Sequence, residues 1–156
     1  MSRAPFQVLV LPFRRKRDGT LEYAVFKRAD RQYWQFIAGG GENEESPIEA
    51  ARREAWEEAG IPLESAYLSL DSKCTVPVVG VTGEFTWGDD VFVIPERVFG
   101  VEVVNTDLRI SGEHIQYRWA CYDEAMSLLK WDSNRNALWE LNERIGRHLS
   151  QAGIAP

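Results

Sequence analysis

The chain has 156 residues, a net charge of −6 at pH 7, 44% hydrophobic and 27% charged residues, which fits one globular domain over 1–156 with a substantial core. No stretch approaches the roughly 20 apolar residues of a membrane span, and the acidic balance argues against a nucleic-acid polymer, which demands a basic face. In chain order, Phe6 to Phe13 is short, apolar and preceded only by Arg3 as a basic residue, so it reads as a strand and not a signal peptide. Phe6 to Arg15 and Leu21 to Arg28 are β-rich runs around a turn at Asp18-Gly19, a hairpin signal. Tyr33 to Ala38 leads as a strand into a loop at Gly39-Gly40-Gly41. A helix follows, then expected strands over Ala66 to Val79, Gly83 to Trp87, Asp90 to Ile94 and Val101 to Val104. In His114 to Cys121, Ile115, Tyr117 and Trp119 alternate with polar residues, the period of a strand. Tyr122 to Leu129 is a short helix, and Ser133 is the expected N-cap of a last helix running to about Leu149. Cys74 and Cys121 lack metal-ligand spacing and read as reduced, part-buried thiols of a cytoplasmic protein.

The helix after the glycines is written most clearly. Ser46-Pro47-Ile48-Glu49 reads as a capping box with proline at the first helical position, and Gly60 is the expected stop. At about 100° per residue, Ile48, Ala51, Ala55 and Ala59 form a narrow apolar stripe, which suits close packing on a sheet. Glu54, Glu57 and Glu58 sit at i, i+3 and i+4 and share a neighbouring face. Like charges so close weaken a helix by roughly 0.2–0.5 kcal/mol per pair. A divalent cation compensates for them, because Mg²⁺ takes carboxylate oxygens together with substrate phosphates. The bland alternative is a solvated acidic face.

Gly39, five residues, Glu45, seven residues, then Arg53, Glu54, Glu57, Glu58, Gly60 and Ile61 follow the pattern G-x5-E-x7-R-E-U-x-E-E-x-G-U, with U a bulky aliphatic. The segment resembles the Nudix box, departing from it mildly with the small Ala55 at a U position and with Glu44 where many members carry glycine. The resemblance implies an α/β fold, the family's α/β/α sandwich with a mixed sheet. It also implies Mg²⁺ as cofactor, with Mn²⁺ as a substitute, and water attacking a phosphorus of a nucleoside diphosphate linked to another group.

Further short motifs widen the match. Lys27-Arg28, Tyr33-Trp34-Gln35, Ser111-Gly112-Glu113-His114, Tyr117-Arg118-Trp119 and Ser133-Asn134-Arg135 occur in that order. Similar motifs make the chain resemble the bacterial dihydroneopterin triphosphate pyrophosphatases, also known as dATP pyrophosphohydrolases. That resemblance implies metal ligation by Glu54, Glu57 and Glu58, with Glu113 completing the metal site or acting as base. Glu57 is the first choice as essential ligand, and Glu58 as a ligand that doubles as base. Arg53 pairs with a box glutamate and orients it. Lys27 and Arg28 are candidates to hold phosphate, Trp34 to stack on a base or pterin ring, and Arg135 to meet a phosphate near a helix N-terminus. Each has a plain alternative: turn residue for Glu113, solvated strand end for Lys27 and Arg28, partly buried core for Trp34, surface ion pair for Arg135. His114 and His148 stand in no cluster and take no role.

The leading expectation is therefore a pyrophosphohydrolase acting on a small nucleoside or pterin triphosphate. Two other readings stay open. Pro77 resembles a downstream proline of ADP-ribose pyrophosphatases, which keeps a dinucleoside polyphosphate or ADP-ribose hydrolase in view. A non-catalytic nucleotide-sensing module is the other. No membrane partner is expected, and the oligomeric state is open, a homodimer included.

Overall fold

The computed structural model describes residues 2–81, 84–85, 87–104 and 107–151; Gly83, Thr86 and the side chain of His148 lie outside the described residues. In chain order the strands are β1 (Ser2–Arg15), β2 (Leu21–Arg28), β3 (Trp34–Gln35), β4 (Ile37–Glu42), β5 (Tyr67–Ser69), β6 (Cys74–Pro77), β7 (Glu84–Phe85), β8 (Val93–Glu102) and β9 (His114–Ala120). Helix α1 (Pro47–Ala59) separates β4 from β5, and α2 (Tyr122–Leu128) and α3 (Asp132–Gln151) follow β9. No helix among the described residues is long and apolar enough to cross a membrane.

All these strands join one mixed sheet centred on β1. β1 pairs antiparallel with β2 through Phe13↔Tyr23 and with β4 through Val8↔Gly39 and Leu9↔Ala38. On its other flank it runs parallel to β8, with Gln7↔Glu96 and Val10↔Phe99 in register. β5 and β6 pair antiparallel with β8, and β9 with β2. β1 is a continuous apolar run because both its faces are covered, as expected for a strand inside a layered sheet. Val8 and Val10 face α1 in a cluster with Phe26, Ile37, Ala51, Ala55, Ala59 and Phe99. Leu9, Leu11 and Phe13 face the other way, onto Leu138, Leu141 and Ile145 of α3. The α/β/α sandwich follows from that alternation.

Helix α1 forms where the sequence predicts. Ser46 accepts a hydrogen bond from the Glu49 N–H at 3.4 Å, a cap worth about 1 kcal/mol. Gly60 ends the helix in the left-handed region, at φ 69°. Several expectations change elsewhere. The glycines Gly39–Gly41 are part of strand β4 and not a loop. The strands expected at Asp90–Ile94 and Val101–Val104 are one strand, β8, running through Pro95, Glu96 and Arg97. The run Ala66–Val79 breaks into β5 and β6, ending in a 3₁₀ turn at Val78–Gly80. Helix α3 begins at Asp132, so Ser133 lies inside its first turn. Cys121 is exposed and Cys74 half-buried, both as free thiols.

Candidate active site

The centre of the site is Arg53 on α1. Its Nε donates to Glu45 Oε2 at 2.8 Å and its Nη2 to Glu45 Oε1 at 3.0 Å, a two-pronged grip. The same Nη2 reaches the Gly40 carbonyl at 2.9 Å, while Nη1 donates to Glu54 Oε1 at 3.0 Å and Glu57 Oε2 at 3.2 Å. Glu45 Oε1 in turn accepts the Glu42 N–H at 2.8 Å. Burial works against the Arg53 charge, but Glu45 and Glu54 outweigh it and raise its pKa. The arginine thus ties strand β4 to the acidic face of α1.

Gly39 explains itself through this closeness. A Cβ there would lie 2.1 Å from the Glu54 carboxyl carbon, so any side chain would have to push that carboxyl from its place. Glu54 is buried against that strand. Burial pushes its carboxyl up to about 7, helped by the charges of Glu57 and Glu58 and opposed by Arg53. Glu57 stays half in solvent, at 52% side-chain exposure.

Glu58 is buried at the far end of the helix. Its Oε2 accepts the Ser111 hydroxyl at 2.7 Å and lies 3.2 Å from His114 Nδ1. Burial raises its pKa, but His114 and Ser111 more than offset this and hold the carboxyl below its ordinary value. Glu113 lies against it and moves the other way, raised by burial and by the Glu58 charge, with Arg28 opposing. The loop carrying these residues is docked on the end of α1: Arg109 N–H donates to the Ala59 carbonyl at 2.9 Å and Ser111 N–H to the Glu58 carbonyl at 3.1 Å.

His114 is a neighbour of Glu58 that the sequence did not place there. Strict alternation along β9 sets it on the face opposite Tyr117. The register against β2 shifts between Lys27↔Gln116 and Arg28↔His114, leaving Ile115 as the extra residue. A bulge of this kind re-aims the side chains beyond it. His114 therefore turns onto the Phe26 face, with ring centroids 5.3 Å apart, and is buried beside Glu58. Nothing in the sequence pattern signals that bulge.

The other sequence-predicted residues divide. Arg28 is chelated to Asp30, at 2.7 and 2.8 Å, while remaining near enough to Glu113 to influence it. Lys27 stands between Trp34 and Gln116 in register. Trp34 is half-buried against the α3-side core, with the Arg118 guanidinium 5.3 Å over its ring. Arg135 is engaged at the α2–α3 junction, donating to the Leu129 carbonyl at 2.5 Å and to Asp132, and is not part of the carboxylate group. Its neighbour Asn134 is buried and accepts the Phe36 N–H at 2.8 Å, a structural latch. Pro77 closes β6 opposite Val93 and precedes the 3₁₀ turn. Structure thus brings Arg53, Glu54, Glu57, Glu58 and Glu113 to one flank of α1.

An α/β/α sandwich with an arginine-clamped acidic helix under a glycine-bearing strand defines a recognisable class. The chain matches the NUDIX domain over residues 5–140 and belongs to the Nudix family of hydrolases. It is 23% identical over 114 residues to the dihydroneopterin triphosphate diphosphatase of Haemophilus influenzae, covering 72% of each chain. Among solved structures it is similar to a Listeria monocytogenes protein designated a NUDIX hydrolase, with TM-score 0.83 and 38% identity over 92% of this chain and 96% of that one. The Escherichia coli dihydroneopterin triphosphate pyrophosphohydrolase shares the fold at TM-score 0.71 and 21% identity, over 91% of this chain and 99% of that one.

Proposed function

We propose that the protein splits a nucleoside or pterin triphosphate, such as dihydroneopterin triphosphate or dATP, into the monophosphate and pyrophosphate, with Mg²⁺ or Mn²⁺ as cofactor. The observation that carries this reading is the row of Glu54 and Glu57, held by Arg53, and Glu58, with Glu113 against it, along one flank of α1. Among the described residues, no three His, Cys, Asp or Glu side chains form a ready-made metal cage. Mg²⁺ uses one or two carboxylates and completes its shell with water and phosphate. Burial raises Glu54 and Glu113, neighbouring carboxylate charge adds to it, and a bound cation would relieve both. Bound there, the ion would neutralise phosphate oxygens and lower the pKa of the attacking water.

The chain's own residues then divide the work. Glu57, half exposed and held at one oxygen by Arg53, and Glu58 would be the principal ligands, with Glu54 supporting them from beneath Gly39. Arg53 orients Glu54 and Glu57. In hydrolysis the water oxygen bonds to phosphorus while the bond from that phosphorus to the bridging oxygen breaks, and the electron pair leaves on the departing phosphate group. Glu113, against Glu58, takes the proton of that water. Lys27 and Arg28 on the neighbouring strand end hold the outer phosphates, and Trp34, beside Lys27, stacks on the ring. The names of the Haemophilus influenzae and Escherichia coli relatives support a pterin triphosphate as substrate.

A substrate panel assayed with Mg²⁺, reading pyrophosphate and orthophosphate separately, tests this. The reading expects pyrophosphate from a triphosphate. Two monophosphates, formed from ADP-ribose or a dinucleoside polyphosphate in preference to any triphosphate, would replace this substrate class. Mg²⁺-dependent binding without turnover would reject catalysis in favour of a sensor.

A further inference from the structure

We infer that Ser111 and His114 are positioning residues for Glu58: together they hold its Oε2 and fix how the carboxylate is presented to the cation. The inference rests on the metal-dependent reading above. Ser111 grips Glu58 twice, through its hydroxyl to Oε2 at 2.7 Å and through its N–H to the main-chain carbonyl at 3.1 Å. The hydroxyl also accepts the Glu113 N–H at 3.3 Å, which leaves its own proton directed at Glu58. The Ser111 carbonyl accepts the His114 N–H at 3.3 Å and closes the turn. One four-residue turn therefore connects Glu58, on the helix, to Glu113, on the loop.

His114 supplies the second hold. Its side chain is 2% exposed and its Nδ1 stands 3.2 Å from the same Oε2, at ion-pair distance but without hydrogen-bond alignment. Neither ring nitrogen has an aligned hydrogen bond among the described residues. A buried polar group left in that state costs on the order of 1–3 kcal/mol. A residue kept only to pack against Phe26 would be better as phenylalanine. The bulge that skips Ile115 brings the imidazole to Glu58, and bulges that re-aim a side chain cluster beside active sites. A carboxylate held at one oxygen loses little freedom when the other takes a ligand, and such supporting contacts typically change metal affinity by about 10–100-fold.

The test measures Mn²⁺ affinity by electron paramagnetic resonance on the full chain, alongside thermal melting of the metal-free protein. Ser111→Ala is expected to weaken Mn²⁺ binding by about tenfold, and Ser111→Thr, which keeps the hydroxyl, to restore most of it. His114→Phe, which keeps the packing on Phe26, should weaken binding in the same direction. The double variant should lose less than the product of the two, because both act on one oxygen. Binding by folded Ser111→Ala within about twofold of the parent, or equal loss in Ser111→Thr, overturns the inference. If His114→Phe fails to fold, the Ser111 pair decides. Failure of the parent itself to bind Mn²⁺ would sink the metal reading as well; binding by the parent with no effect at Ser111 would sink only this inference.

Discussion

Replacing Arg53 by lysine tests the scaffold of the site without removing its charge. Arg53 makes five hydrogen bonds from three nitrogens, to Glu45 twice, Glu54, Glu57 and the Gly40 carbonyl. A lysine ammonium is one point with three donors and cannot reproduce the planar fork. At least two charge-assisted bonds must go, each worth about 1.5–3 kcal/mol when well shielded. The arginine side chain is 19% exposed, as is that of Glu45, so a modest discount leaves a loss of about 2–4 kcal/mol. For a chain of this size that corresponds to a fall in Tm of about 5–12 °C. Melting would be followed at neutral pH with a chelator present, so that bound cation does not mask the effect. Neutral pH matters, because Glu45 is held below its usual range and is ionised there. A Tm within about 1 °C of the parent would show that the clamp between β4 and α1 contributes nothing, and the reasoning would fail.

Three further outcomes follow from the same geometry. Glu57→Gln should leave Tm nearly unchanged, since its carboxylate is half exposed, while lowering kcat by at least about 100-fold; near-normal turnover would remove Glu57 from the site. Gly39→Ala forces a Cβ onto the Glu54 carboxyl and should cost about 1–3 kcal/mol in urea unfolding, with loss of activity. Glu96→Gln acts away from the site: Glu96 is buried, with one oxygen unpaired and its other held by Gln7 at 3.4 Å, and burial raises its pKa. A raised folded-state pKa means that its stabilising share is present in acid and lost as pH rises through the folded value. The variant should therefore gain Tm over the parent as pH rises from the ordinary glutamate value through the raised folded one and then keep that gain, and a pH-independent difference would refute this.

The helix and its carboxylates were legible because they are local. Ser46, Pro47 and Gly60 set the ends of α1, and three-and-four spacing set its faces. Strands β2 and β9 were legible for the same reason, β2 as a β-rich run after the Asp18-Gly19 turn and β9 from its period-two alternation. What escaped depends on contacts distant in sequence. The glycines looked like a loop, yet they pair with Val8 and Gln7, and their missing side chains admit Glu54 and Arg3. Pro95, Glu96 and Arg97 broke the apolar pattern of β8, but pairing with β1 and β6 carries the strand through them. His114 was hidden by a one-residue register shift against β2. Arg135 was legible only as a candidate for phosphate near a helix N-terminus, and not for its contacts at the α2–α3 junction, while the buried link from Asn134 to Phe36 depends on pairing distant in sequence.

The central claim, that the carboxylate group on α1 directs water to a bridging phosphoanhydride, is tested most directly by hydrolysis in ¹⁸O-water. Dihydroneopterin triphosphate or dATP would be incubated with Mg²⁺ and the products followed by ³¹P NMR, with Glu57→Gln as the control. The account predicts Mg²⁺-dependent formation of monophosphate and pyrophosphate, with label in one of the two and no orthophosphate at early times. Stepwise release of labelled orthophosphate, or equal turnover by Glu57→Gln, would contradict it.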